Sequence, residues 1–286
     1  MIISSTTTEK LGFAAMRLVT YTIVGIVAWI LLDLIWKGIP GLSWEFISAA
    51  PRKSGAEGGI LPAIVGTLSL LVGTMLFALP LGIASAIYLS EYAKKGKFTT
   101  YVQRGIVTLA GVPSIVFGLF GLGLFVLFFN FGASILAGSL TLACMTLPTI
   151  IVASNESLQA VPRSFREASL ALGATKWETI KNHVLPYSLS GMLTGSILAI
   201  GRAAGETAPI LLTVAAFFLP RLPNSIFDQV MVLPYHLYIL ATQHPEAPIL
   251  RDKQYGTALV LLIIVLGFNF IAVYYRSKFR KKYKWQ

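Results

Sequence analysis

Long intervals without a charged residue divide this chain, and they constrain its fold more than any other feature. The longest runs from residue 105 to residue 155 and contains 51 residues. A membrane-spanning helix needs about 20 mostly apolar residues, so this interval alone can hold two such helices. Soluble domains have about 25% charged residues, whereas 12% of this chain is charged. The pattern therefore predicts an all-α, polytopic transmembrane bundle.

Six membrane-spanning helices are predicted from these intervals. They are residues 18–36, one span within 58–90, two within 105–155, 182–201 and 254–275. The two spans within 105–155 are expected to join at a tight turn near Asn130, Phe131 and Gly132. The apolar segment 207–220 has 14 residues. Because it is too short to cross alone and Pro209 interrupts it, we expect a re-entrant or interfacial segment.

Basic residues set the expected orientation, because cytoplasmic loops of membrane proteins collect lysine and arginine. With six spans and a cytoplasmic N-terminus, sixteen of the 23 Lys and Arg residues fall in cytoplasmic segments. A seventh span would place the six basic residues of the tail 276–286 outside. We therefore expect one transmembrane domain over residues 1–286, with both termini cytoplasmic and an uncleaved first span. The basic tail either anchors this orientation or binds anionic lipid.

Residue types that carry enzymatic or metal chemistry are scarce. The one cysteine, Cys144, lies in an apolar interval, so we expect neither a disulfide framework nor a zinc or cysteine-based site. His183, His236 and His244 are scattered and have no paired carboxylate motif, which argues against an integral membrane enzyme acting on lipid phosphates. No Gly-x-x-x-x-Gly-Lys-Ser/Thr loop occurs in the sequence. This chain is therefore not expected to bind and hydrolyse ATP through the usual phosphate-binding loop, and we expect no cofactor.

The segment 155–191, between the fourth and fifth predicted spans, has a pattern of its own. Apolar residues at helical spacing predict a short helix that ends at Gly173. Thr175 and Glu178 have the spacing of a capping box, which predicts a second short helix that ends just before Pro186. Two such helices either form a solvated hairpin or present their surface to a partner.

The same segment resembles the EAA loop of ABC importer permeases. In that pattern Glu-Ala-Ala is followed after three residues by Gly, and after nine more by Ile-x-Leu-Pro. Here Glu167, Ala168 and Ser169 precede Gly173 at this spacing, and a Leu-Pro pair ends the pattern. Ser169 replaces the second Ala, and His183 stands where the family has an apolar residue. The resemblance implies that the loop docks into a cytoplasmic ATPase subunit, with Glu167 and Gly173 at its centre and with Ala168 and Ser169 permitting close approach.

Two further strings are similar to the phosphate importer permeases, most closely to those of the PstA type. They are GVPSIVFGLF at residues 111–120 and AIGRAAGETAP at residues 199–209. The resemblance covers all six predicted spans and implies the type I ABC importer permease fold in a bacterial inner membrane. The implied partners are a second, homologous permease of the PstC type, two ATP-binding subunits of the PstB type and an extracytoplasmic phosphate-binding protein of the PstS type.

Arg202 and Glu206 are charged residues at the end of a predicted span, and their separation of four places them on one helix face. They either form a structural ion pair or line the path of the substrate. A guanidinium offers parallel donors to two phosphate oxygens, and a carboxylate accepts the P–OH proton that sulfate lacks. Glu206 would therefore repel sulfate. Thr207 and Ser114 are candidate hydroxyl donors to the same path.

The predicted function is that of the transmembrane subunit of an ATP-driven importer of inorganic phosphate. Two alternatives stay open. An ABC permease for another oxyanion, such as molybdate, would share the coupling loop. A proton-coupled secondary transporter would use Glu206 as its proton-binding group, and its uptake would follow the proton gradient instead of ATP.

Overall fold

The computed structural model describes residues 5–94, 96–245 and 247–282, most of which are helical. The described α-helices are α1 (Ser5–Gly38), α2 (Trp44–Ser48), α3 (Leu61–Ile87), α4 (Lys97–Leu109), α5 (Ser114–Gly121), α6 (Ile135–Gln159), α7 (Arg163–Ala171), α8 (Lys176–Thr179), α9 (Leu185–Gly205), α10 (Ala208–Thr213), α11 (Leu233–Thr242) and α12 (Arg251–Lys282). Three wider helical turns, with bonds to the fifth residue along, are Tyr88–Tyr92, Leu122–Phe128 and Ile180–Val184. Strands β1 (Pro51–Arg52) and β2 (Glu57–Gly58) pair in antiparallel orientation.

Five of the described helical segments are long and apolar enough to cross a membrane, and the bent pair α4–α5 provides a sixth if it counts as one span. Spans one, two, four and six are built on α1, α3, α6 and α12, and span five runs from α8 through α9. The predicted all-α bundle is confirmed. The predicted turn before α6 is also confirmed, because Asn130 and Gly132 have φ angles of 55° and 65°, which a sharp reversal requires.

The third span, predicted within 105–155, begins earlier, at Lys97, and is bent. Its two parts, α4 and α5, meet at 103°. The N–H of Gly111 bonds to the carbonyl oxygen of Thr108, which tightens the end of α4, and Pro113 then has extended geometry. Proline has no N–H and disfavours helical geometry in the residue before it, so the helix breaks here and restarts at Ser114.

The fifth span is longer than predicted. One helical segment runs from Lys176 to Gly205, so the prediction that Pro186 ends a separate short helix is wrong. The wider turn Ile180–Val184 comes directly before α9, and Pro186 lies in the first turn of α9. A widened turn moves the backbone away from the proline ring, and it accommodates the hydrogen bond that proline cannot donate. Since α6 ends at Gln159, the loop between spans four and five is shorter than the predicted 155–191.

The central helix is α6, which packs against α3 on one side and α9 on the other. The end of the bundle with α4, α7 and α8 is called the basic end, and the end with α2, the β1–β2 hairpin and the start of α12 is called the far end. Residues 276–282 of the predicted tail continue α12, so this part is helical, and residues 283–286 lie outside the described residues. Arg276 donates through Nη1 to Oγ1 of Thr194 at 3.2 Å, which ties the end of span six to span five.

Close packing at Gly66 of α3 gives a stability prediction. A Cβ atom at this position would lie 2.1 Å from the carbonyl oxygen of Met231 and 2.9 Å from Cβ of Val230. Gly66→Ala is therefore expected to push α3 away from that segment and to cost about 1–3 kcal/mol of stability, as overpacking does. Thermal unfolding of the purified protein measures this as a lower midpoint.

The matched control is Gly25→Ala in α1, where an added Cβ meets nothing within 4 Å. Both substitutions replace a helical glycine by alanine and so share the same gain in helix propensity. Equal midpoints for the two variants would contradict the packing argument.

Candidate functional site

Arg202 and Glu206, here called the pathway pair, are in contact at the end of α9. Nε of Arg202 lies 3.3 Å from Oε1 of Glu206. Arg202 is in the last turn of the helix, whereas Glu206 follows the helix end with φ −71° and ψ 135°. The two side chains thus meet at a spacing of four residues, as predicted for one helix face, although Glu206 itself is the residue that ends the helix.

Buried contacts on both sides fix the backbone that carries the pathway pair. Before it, Ala203 and Ala204 are buried and pack in a cluster with Leu71 of span two. After it, Ile210 of α10 is buried in a cluster that includes Phe117 of α5. The segment 207–220 contributes only the six-residue helix α10, so it does not form a crossing helix. The break between α9 and α10 is thus held in place by packing.

Arg202 of the pathway pair lies at a face of the bundle that the described chain does not cover, whereas most of the Glu206 side chain is covered. The side chain of Arg202 is 44% exposed and that of Glu206 is 14% exposed. Leu198, one turn before Arg202 on the same face of α9, is 66% exposed. A guanidinium in contact with lipid hydrocarbon is costly, and charged groups within membranes face a bundle interior or a water-filled path. This face is therefore suited to water or a second protein subunit.

Of the two candidate hydroxyl residues, Thr207 lies at the break between α9 and α10, and Ser114 lies on the helix α5, which packs against α10. Thr207 is the residue before α10 and is half-buried. Ser114 begins α5 and is also half-buried, and Gly118 follows it by one turn on the same face. A Cβ at Gly118 would lie 3.0 Å from Cα of Pro209, so this face of α5 packs on the start of α10. Thr207 is thus the neighbour of Glu206 in sequence, and Ser114 lies on the face of α5 that packs against the start of α10.

Hydrogen bonds and backbone angles within the segment itself define where the two short helices of the basic end begin and end. Oε2 of Glu178 accepts the N–H of Thr175 at 2.7 Å, and Oγ1 of Thr175 accepts the N–H of Glu178 at 3.3 Å. This is the predicted capping box. Gly173 has a φ of 85°, which an L side chain disfavours, and it ends α7 as predicted. The turn between α7 and α8 is therefore specified by its own residues.

One surface of this turn, here called the loop face, combines charge with exposed apolar groups. It comprises Glu167, Ala168, Leu172, Gly173 and Trp177, all of which are exposed. Leu172 is 90% exposed and Trp177 is 56% exposed. Large apolar side chains that are exposed close together in the chain, as these two are, can mark a surface that contacts another protein or a membrane. Three of the four predicted docking residues lie on this face.

The fourth predicted docking residue, Ser169, faces inward. It is 6% exposed, and its hydroxyl lies 2.9 Å from that of Thr179 in α8. Ser169 therefore holds the two short helices together. The sequence analysis missed another contact of α7, the ion pair between Arg166 and Glu91. No local signal could have found it, because the two residues are 75 positions apart.

The far end carries a loop fixed by charge-assisted bonds. The carboxylate of Asp228 accepts the N–H groups of Asn224 and Ser225 at 2.8 and 3.1 Å. These bonds favour the ionised form and hold the pKa of Asp228 below its usual value. The carbonyl oxygen of Asp228 accepts the N–H of Ile135 at the start of α6. Among residues 5–94, 96–245 and 247–282, no group of three or more potential metal ligands is clustered.

Residues 78–284 match the family model described as the inner membrane component of binding-protein-dependent transport systems. The chain is 33% identical over 289 residues to a probable ABC transporter permease, YqgI, of Bacillus subtilis, which covers 96% of this chain and 97% of that protein. It is 34% identical over 274 residues to the phosphate transport system permease PstA of Mycobacterium leprae, covering 93% and 88%. PstA of Haemophilus influenzae is 30% identical over 254 residues, covering 87% of each chain.

Solved structures with a similar fold include two transporters with different cargo. A chain of a bacterial ABC transporter involved in the import of the acidic polysaccharide alginate aligns with a TM-score of 0.68 and 13% identity, covering 94% of this chain and 96% of that chain. A chain of the MetNI methionine ABC transporter in an inward-facing conformation aligns with a TM-score of 0.60 and 15% identity, covering 77% and 97%. At these identities the likeness concerns the fold alone.

Proposed function

Because the chain belongs to the family of binding-protein-dependent transport system inner membrane components, the permeases of ABC importers, we propose that its cargo is inorganic phosphate. In this proposal the chain forms the translocation path together with a second, homologous permease. An ABC importer is driven by ATP, so the proton-coupled alternative is set aside.

The observation that carries the proposal is the position of the pathway pair. Arg202 and Glu206 are in contact at a helix break, and the Arg202 side chain opens to a bundle face that the described chain leaves uncovered. A guanidinium binds two oxygens of an oxyanion through parallel donors. A carboxylate beside it accepts a P–OH proton, and phosphate near neutral pH still carries such a proton whereas sulfate does not. The pair thus suits phosphate, with Thr207 and Ser114 as further donors.

The named relatives support the same cargo without fixing it. The permeases from M. leprae and H. influenzae are described as phosphate transport proteins, whereas the description of the B. subtilis relative states no cargo. The runner-up is a permease for another oxyanion such as molybdate. A fully deprotonated oxyanion would meet the carboxylate of Glu206 without a proton to donate, so the pathway pair favours phosphate over it.

The loop face is proposed to dock on a separate ATP-binding subunit. Glu167 supplies a charge, and Leu172 and Trp177 supply exposed apolar area. The turn at Gly173 has open space around it, since an added Cβ would meet nothing within 4 Å. An interface with an apolar centre and a few charged groups is typical of stable protein contacts.

The proposed assembly contains this chain, a PstC-type permease, two PstB-type ATP-binding subunits and a PstS-type extracytoplasmic phosphate-binding protein. The basic end faces the cytoplasm of a bacterial cell and the far end faces outward, following the distribution of Lys and Arg. The binding protein then delivers phosphate to the far end, while the ATP-binding subunits engage the loop face.

The proposal is tested by uptake of radiolabelled phosphate into cells that co-express the chain with its partner subunits. Uptake is expected to require this chain, to stop when ATP is depleted, and to continue when sulfate or molybdate is added in excess. Membrane insertion is checked by immunoblot in each preparation.

Two results would contradict the proposal in different ways. Inhibition of phosphate uptake by molybdate, together with uptake of labelled molybdate itself, would assign the chain to the other oxyanion. Phosphate uptake that is equal with and without the chain would remove phosphate as its cargo.

A further inference from the structure

A second ion pair fastens the start of α7 to two other parts of the bundle. Nη2 of Arg166 lies 2.6 Å from Oε1 of Glu91, and Nε of Arg166 lies 3.2 Å from both carboxylate oxygens. Arg166 also donates through Nη2 to the carbonyl oxygen of Leu158 and through Nη1 to that of Val161, each at 2.8 Å. One guanidinium therefore uses its planar fork on three partners.

These partners belong to the basic ends of two spans. Glu91 is in the turn Tyr88–Tyr92 that ends span two, and Leu158 is in the last turn of α6 in span four. Carbonyl groups at a helix C-terminus lack helical partners and carry partial negative charge, so a cation is favoured there. Glu91 is 8% exposed and Arg166 is 21% exposed. The pair is thus well shielded from solvent, and its hydrogen bonds fix the relative orientation of the two side chains.

Other contacts attach α7 to span five. Ser169 bonds to Thr179 through their hydroxyl groups at 2.9 Å, and the rings of Phe165 and Tyr187 meet edge to face at 5.5 Å. The helix that carries the loop face is therefore in contact with the ends of spans two, four and five, and the Arg166 guanidinium supplies the polar link to the first two.

We propose that Glu91 and Arg166 are positioning residues that transmit movement of α7 to spans two and four. The inference rests on the proposed function, because it assumes that an ATP-binding subunit moves α7 by docking on the loop face. Apolar contacts such as that of Phe165 permit sliding, whereas a guanidinium held by two carboxylate oxygens and two carbonyl groups has one favoured geometry. Loss of this link uncouples the spans from α7 without removing the docking surface.

The test measures amide hydrogen exchange in the assembled transporter, with and without a non-hydrolysable ATP analogue. In the native complex, the analogue is expected to change exchange both in α7 and in Tyr88–Tyr92. In Glu91→Gln, which keeps the size of the side chain, the change in α7 is expected to remain and the change in Tyr88–Tyr92 to be lost. Glu91→Asp keeps the charge and is expected to restore part of the response.

Glu57→Gln is the matched control, because it removes an exposed ion pair with Lys53 at the far end. It is expected to behave as the native chain does. Arg166→Lys keeps the charge but loses the fork, and it replaces Glu91→Gln if that variant does not assemble. A response in Tyr88–Tyr92 that survives in Glu91→Gln, or in Arg166→Lys used in its place, overturns the positioning role. A loss shared with Glu57→Gln overturns it as well.

The exchange measurement needs neither phosphate nor its binding protein. If the native chain does not transport phosphate but the response is still lost in Glu91→Gln, the cargo is wrong and the positioning role stands. If the analogue changes nothing in α7 of the native complex, the proposed docking of the ATP-binding subunit on the loop face is wrong, and the positioning role falls with it.

Discussion

Glu206→Gln is expected to lower phosphate uptake by about tenfold or more and to make sulfate a competitor. The amide has the size of the carboxylate but no negative charge, so Arg202 loses its ionic partner. The amide oxygen can still accept the P–OH proton, but that hydrogen bond is weaker because its acceptor is no longer charged. A loss of about 1.4 kcal/mol already corresponds to a tenfold change. Sulfate is expected to bind better because the negative charge that repels it is absent in this variant. Uptake of labelled phosphate at a series of sulfate concentrations measures both effects.

Two control variants separate charge from shape in this experiment. Glu206→Asp keeps the charge on a shorter side chain and is expected to keep sulfate excluded even if uptake falls. Arg202→Lys keeps the positive charge but loses the parallel donors, so it is expected to weaken phosphate uptake without admitting sulfate. If Glu206→Gln transports phosphate at the native rate and still ignores sulfate, Glu206 takes no part in selection and the pair is only structural.

Signals that act over a few residues made much of the fold predictable. The intervals between charges gave the spans, Asn130 and Gly132 gave the turn before α6, and Thr175 with Glu178 gave the start of α8. In each case the residues that specify the feature are neighbours in sequence. Their backbone preferences and hydrogen bonds are therefore the same before and after the helices pack.

Two features of the spans that the sequence analysis did not anticipate occur at prolines, where a local rule has more than one structural solution. Pro113 breaks span three by 103°, whereas Pro186 is absorbed at the start of α9 after the wider turn Ile180–Val184. Proline removes one N–H in both cases. Whether the helix breaks or widens depends on the packing around it, and within a membrane neighbouring helices can satisfy the freed backbone groups. The sequence pattern around a proline does not contain that information.

The contact between Arg202 and Glu206 could be anticipated because the two residues are four positions apart, whereas the end of α9 at Gly205 was not anticipated. Arg166 and Glu91 were not recognised, because a contact between residues 75 positions apart depends on how three helices meet. A single sequence reports which charges are near a membrane, but the partner of each charge is set by tertiary packing.

Glu167→Lys is expected to remove most of the ATP-binding subunit from the purified complex and to abolish ATP-dependent uptake. Glu167 is exposed on the loop face and follows Arg166, which the ion pair with Glu91 holds in place. A partner surface that complements a negative charge would then face a positive one, and juxtaposed like charges in an interface cost several kcal/mol. Since each 1.4 kcal/mol is tenfold in affinity, the expected drop in recovery is at least about tenfold.

Recovery of the ATP-binding subunit on affinity-tagged permease is the direct measurement, and it does not depend on the cargo. Glu57→Lys makes the same change in charge at the far end, where Glu57 pairs with Lys53, so it controls for insertion and for net charge. Ala168→Leu adds bulk beside Glu167 and is expected to lower recovery by steric exclusion, since Ala168 is exposed on the same face. Native recovery in both Glu167→Lys and Ala168→Leu would contradict docking on the loop face. Loss in both with retention in Glu57→Lys would locate the interface on α7.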